Sequence, residues 1–178
     1  MNIFFLDQNP RLAAEMHCDK HVVKMILESA QLLSTAHRVL DGQMTMGKSK
    51  SGRNAKRWVL NDSRETILYQ ASHINHPSAC WVRSNIDHYR WVYDLMFSLI
   101  GEYKYRYSDR QHKCETLLMP LLDSPINIPI IDWADLPLAM PDDVKVEGNP
   151  VESYRQYYIN RKKDIARWTR RPQPDWWI

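Results

Sequence analysis

Glycine is scarce, with five residues in a chain of 178. So few turn formers argue against a fold built from short strands and tight turns. They also leave no Gly-rich phosphate loop, and neither a P-loop nor a dinucleotide fingerprint is present. Cysteine is scarce too: three residues, at 18, 80 and 114. An odd, widely spaced set makes no disulfide framework, so a reducing, cytoplasmic setting is the expectation. No apolar run approaches the roughly 18 residues of a membrane span, so no membrane partner is expected. No leader is expected either, because the start lacks a basic flank and Asp7 interrupts its apolar stretch.

What is present is aromatic and basic. Seven Trp and nine Tyr stand against three Phe, a balance suited to surfaces that stack on a partner as well as to a core. The net charge of +3 permits a nucleic-acid partner without demanding one. Its distribution is uneven. Residues 48–57, KSKSGRNAKR, hold five positive charges and no acid, and 161–171 holds six against one acid, Asp164.

The hydrophobic pattern predicts a mainly α, compact, single-domain protein over 1–178. Three long helices are expected, with a Pro-rich wrap and an extended aromatic C-terminal tail. NIFFL at 2–6 reads as an extended segment tucked into the core. Asn9-Pro10 opens a first helix over about 11–40, which Asp41-Gly42 ends. Residues 42–57 read as a mobile basic loop, and no strand is expected anywhere. Asn61-Asp62-Ser63 with Glu65 can cap a short helix in the ambiguous stretch 58–74. Pro77 sets the start of a second long helix over 78–107. Its core stripe is Val82, Ile86, Tyr89, Tyr93, Phe97 and Ile100, with Arg83, Asp87, Arg90 and Asp94 as ion pairs on another face. A short helix is expected near 111–119. Most of the ten Pro fall in 120–150, an irregular surface wrap. The last helix is expected over 151–168.

HCDKHVVKMILE at 17–28 concentrates titratable groups. His17, His21, Lys24, Glu28, Gln31 and Thr35 recur at helical steps and form one stripe bordering the Val/Ile/Leu face. Three readings are open. The stripe can be a wet face with i,i+4 pairs such as Lys24–Glu28. His17 and His21 can be half of a metal site completed by His112 and Cys114. Or Glu28, with Lys24, His21 and Gln31, can handle an acid/base step, with a Lys or the chain's amino group as amine nucleophile.

Five stretches, MNIFFLD, CDKHVVKMILESAQLL, HINHPSACWVR, YKYRYSDRQHKCE and YRQYYINRKKDIARWTRRPQPDWW, occur in order along most of the chain. Together they resemble the small phage-type proteins grouped with the pyrimidine-dimer DNA glycosylases, the endonuclease V family. That resemblance implies an all-α fold that needs no cofactor and no metal. Its implied substrate is double-stranded DNA with a damaged or modified pyrimidine, as in DNA repair. The implied chemistry is cleavage of the glycosylic bond by a hydrolase-type glycosylase with AP lyase activity. An N-terminal amine attacks the sugar C1′ and forms a Schiff base, and a Glu on the first long helix assists.

By position that Glu is Glu28. Lys20 and Lys24 would meet phosphate or sugar, with His21, Arg38 and His76 beside them. Arg170, Arg171, Trp176 and Trp177 match the family's closing segment near DNA. Lys48, Lys50, Arg53, Lys56 and Arg57 would form a basic strap over the phosphates. One departure matters. The family's amine belongs to a Thr exposed by removal of Met1, whereas Asn2 normally leaves Met1 in place. The amine is then that of Met1 or of Lys20 or Lys24, or the lyase step is absent. Two further readings remain: a non-catalytic DNA-binding protein on the same scaffold, and a metal-dependent enzyme using the His/Cys set.

Overall fold

Two places where the chain leaves a helix without any sequence breaker organise the architecture. The computed structural model describes residues 1–48 and 51–177. Asn9 caps α1 (Pro10–Met16) by accepting from Arg11 N and Leu12 N, with Pro10 in the first turn. The expected long helix then breaks. His17 and Cys18 are extended, and α2 restarts at Asp19 and runs to Asp41. The carbonyls freed by the break are taken up from a distance: Arg106 donates to His17 O and Glu15 O, each at 2.8 Å, and pairs with Asp19 at 3.0 Å. With Glu102 as its fourth acceptor, this buried guanidinium can hold a break that no local signal announces.

The second long helix breaks in the same way. α4 (Pro77–Ser84) and α5 (Ile86–Arg106) are separated by Asn85, which is extended. Asn85 accepts from Asp87 N and donates to Ile131 O and Asp132 O, while Ile86 N bonds Pro129 O. The Pro-rich segment thus stitches this break, which explains why it lies against the helices.

α1, α2 and α4 pack on α5, and NIFFL threads the resulting core, with Ile3, Phe4, Phe5 and Leu6 all buried. α5 buries Tyr89, Val92, Leu95, Met96, Leu99 and Ile100. The expected stripe was therefore rotated. Val82, Tyr89 and Ile100 are in the core, but Phe97 is 60% exposed and Ile86 and Tyr93 are half-buried. Of the expected ion pairs, Arg90–Asp87 forms, at 3.5 Å. α3 (Arg64–Ile67) is a single turn, and α6 (Leu118–Leu122) follows a 3-10 turn at Lys113–Leu117. α7 (Pro150–Arg161) stops short of the expected 168. Among the described residues, no helix is long and apolar enough to cross a membrane.

The clearest correction concerns 42–57. Instead of an irregular loop, the chain forms an antiparallel ribbon, β1 (Gln43–Lys48) and β2 (Asn54–Val59), with Gln43 opposite Val59 and Lys48 opposite Asn54. Its glycine works by close approach. A Cβ on Gly42 would lie 2.5 Å from Arg38 O, at an ordinary extended φ of −88°. The expected left-handed helix cap is absent there.

Candidate functional site

Glu28 sits on α2 beside the first residues of the chain. One carboxylate oxygen accepts from the backbone N–H of Asn2 at 3.0 Å, and the other faces Lys24 Nζ at 3.3 Å. The Glu28 side chain is 14% exposed and that of Lys24 is 65% exposed. The carboxylate is thus sheltered but reachable. The i,i+4 pair of the wet-face reading exists, and it is only half of what Glu28 does.

Asn2 is held from three more directions. Its amide donates to Ala139 O at 3.1 Å, and its oxygen accepts from Tyr154 Oη at 3.0 Å and from Ile3 N at 2.9 Å. Tyr154 is fully buried on α7, and burial raises its pKa, so it stays a hydroxyl donor. Met1 lies over Ser72, whose hydroxyl meets the thioether at 3.9 Å, and Ser72 N bonds Thr35 Oγ1 on α2. His76 closes the same region. Its Nδ1 accepts from Ser78 N and caps α4. Burial lowers its pKa, and the chain's amino group and His73 lower it further, while Glu28 opposes them. The charges of the amino terminus, His73 and Glu28 are thus near enough to act on His76. His73 takes a positive φ of 49° there, an uncommon conformation for a non-glycine residue.

The remaining candidates divide. Lys20 is exposed, but it precedes Glu28 by two turns, about 12 Å along the axis. His21 does not face solvent. It is buried, stacks on Phe4 at 4.4 Å, and its Nδ1 meets Tyr158 Oη at 2.5 Å. Burial, with His17 and two lysines nearby, pulls its pKa down to about 3. It is a core histidine and corrects the expected DNA contact. Arg38 is corrected for the same reason. Its side chain is wholly buried, donating to Tyr69 O, Trp58 O, Glu65 O and Leu68 O and pairing with Glu65 at 2.6 Å. It anchors the ribbon's root and has no donor left for a phosphate.

The His/Cys set does not assemble. His17 is buried with Nδ1 on Ala13 O, and burial lowers its pKa to about 4. Cys114 meets Tyr69 Oη, and His112 caps the turn after it. Among the described residues, no three His, Cys, Asp or Glu side chains are grouped to hold a metal ion.

The tail folds back on α1 and α5. Arg171 pairs with Glu102 at 2.5 Å and Arg170 donates to Tyr105 O. Trp176 and Trp177 are half-buried, against Tyr158 and Trp168 respectively. On the ribbon, Lys48 and Lys56 are exposed and Arg57 donates to Lys48 O. Arg53 is also exposed, and Lys50 lies outside the described residues. Asn2, Tyr154 and Ser72 were missed from sequence. No local pattern marks them, because each matters only once NIFFL threads the core. Compared with known protein families, curated proteins and solved structures, the chain matches none.

Proposed function

We propose that the chain is a DNA glycosylase that cleaves the glycosylic bond of a damaged or modified pyrimidine, with abasic-site lyase activity through an amine Schiff base. One observation carries the reading: the sheltered Glu28 carboxylate holds the backbone nitrogen of residue 2, one residue from the chain's amino group. A glycosylic bond breaks more easily when a carboxylate stabilises the cationic sugar and an amine adds at C1′. Two amines fit. The Met1 amine is one residue from the Glu28 contact. In a chain that begins at residue 2, the nitrogen already on Glu28 is itself the amine. Lys24 adds a positive charge beside Glu28 and an exposed side chain for a phosphate.

The layout along α2 supports a duplex partner. The 23-residue helix is about 34 Å long, near one turn of B-DNA. Basic elements lie at its two ends, the tail beside Asp19 and the ribbon after Asp41, with Glu28 between them. Reaching a base within the duplex requires flipping it out of the stack.

The test is base release from UV-irradiated or modified-pyrimidine duplex. Release that Glu28→Gln abolishes supports the reading, and no release from any such substrate overturns it. The second reading, a non-catalytic DNA-binding protein, is favoured by the full engagement of Glu28, whose two oxygens are already used to pin residue 2 and Lys24. It expects DNA binding that survives Glu28→Gln and no base release.

A further inference from the structure

The ribbon of β1 and β2 belongs to neither the core nor the Glu28 site. Residues 43–59 carry five Lys or Arg and no acid. Six residues per strand give a ribbon about 20 Å long. Its root is tied down by Arg38 to Trp58 O and by Leu60 N to Glu65. Opposite residues share a face in an antiparallel pair. One face therefore carries Met44 with Trp58 and Met46 with Lys56, while Arg57 and Thr45 share the other. Met44 is 50% exposed and Met46 is 65% exposed. A two-stranded ribbon with apolar side chains in water and no sheet behind it is marginal unless something covers it.

We infer that this ribbon is an arm that lies in the major groove of duplex DNA flanking the reacting nucleotide. Its width is one that the major groove admits. Its unopposed positive charge complements phosphate, and its Met side chains match the methyl groups that thymine presents there. One segment joins the root to the N-terminus: Arg38 binds Tyr69 O, and three residues on, Ser72 meets Met1. Asp41 follows Glu28 by 13 residues, about 20 Å along the axis. The arm's root would thus sit roughly six base pairs from the reacting nucleotide, at about 3.4 Å per pair. The choice of DNA as occupant rests on the glycosylase reading. The arm itself is a separate contact that takes no part in the chemistry.

The test compares the wild type with the triple variant Lys48→Gln, Lys56→Gln, Arg57→Gln, binding an undamaged duplex across a salt series. The changes lie on an exposed ribbon, and a matched thermal melt checks the fold. The slope of log affinity against log salt should become shallower by about 2–3. An unchanged slope overturns the arm. So does a variant whose sole loss is adhesion to vesicles of phosphatidylserine in phosphatidylcholine. For the groove, replacing thymidine by deoxyuridine in the flank should weaken wild-type binding about fourfold per methyl group covered. It should leave Met44→Ser with Met46→Ser unaffected. Equal responses overturn the major-groove assignment. The two claims fail separately. Base release with an unchanged salt slope removes the arm and keeps the glycosylase. The expected slope change without any base release does the reverse.

Discussion

The site at Glu28 and the ribbon at 43–59 are opposite solutions to holding charged groups in place. At Glu28, a partly sheltered carboxylate holds Asn2 and pairs with Lys24, and Asn2 is held in turn from α7. In the ribbon, the charges stand on strands with few ties to the body. The first arrangement fixes the peptide N–H of residue 2 on a carboxylate by a hydrogen bond, and bond-making chemistry needs placement of that precision. The second gives reach and electrostatic attraction, which require no such precision. Positioning and affinity are therefore assigned to different parts of one small chain.

The largest expected effect separates these roles at Glu28. Glu28→Gln should cut base release by about 10²–10⁴-fold while DNA affinity and its salt slope stay as in the wild type. A parallel loss of affinity would show that the Glu28 site also carries the binding. Next comes the joint between the regions. Arg38→Met leaves Glu65 and four carbonyls without their buried partner, so unfolding in urea should show a loss of about 3–5 kcal/mol. Hydrogen exchange should rise first along β1 and β2. A stability change below about 1 kcal/mol would mean that the ribbon's root does not depend on this network.

Acid should then loosen the body and spare the ribbon. His17, His21 and His37 are held neutral by burial, with pKa values of about 4, 3 and 4. Because the unfolded chain binds protons at these sites from about pH 6.5 downward, their contribution is fully present above that pH. It is lost as pH falls toward 4, by on the order of 3 kcal/mol for each histidine. Thermal melts between pH 7 and pH 4 read this directly, and a flat profile contradicts it. The ribbon contains no histidine. The smallest effect is at Tyr154→Phe, which removes one hydrogen bond to Asn2. It should cost about 1 kcal/mol of stability, yet lower the rate of base release more than it lowers DNA affinity. Equal losses in rate and affinity would make Tyr154 merely structural.

Much of the helical framework was legible because it rests on local signals. Asn9-Pro10 and His76-Pro77 open helices where caps and proline geometry require. NIFFL reads as core from its composition alone, and it is buried. The breaks at His17-Cys18 and Asn85 were not legible, since Arg106 and the Pro-rich segment hold them from far along the chain. Scarce glycine and dense charge also hid the ribbon. Its turn contains Gly52 in a left-handed conformation, but five neighbouring cations read as a solvated loop. At the site, Glu28 and Lys24 follow from helical spacing, whereas Asn2 and Tyr154 depend on tertiary threading. Arg38 and His21 misled for one reason. A polar residue on a mainly apolar helix face can be a buried anchor as readily as a ligand contact, and spacing does not distinguish the two.

The central claim is that Glu28 works beside the chain's own amine. Borohydride trapping on abasic-site duplex, followed by peptide mass mapping, tests it most directly. A reduced covalent adduct on the N-terminal residue, lost in Glu28→Gln, is expected. An adduct on Lys24 or Lys20, or no adduct from a protein that still releases base, would contradict it.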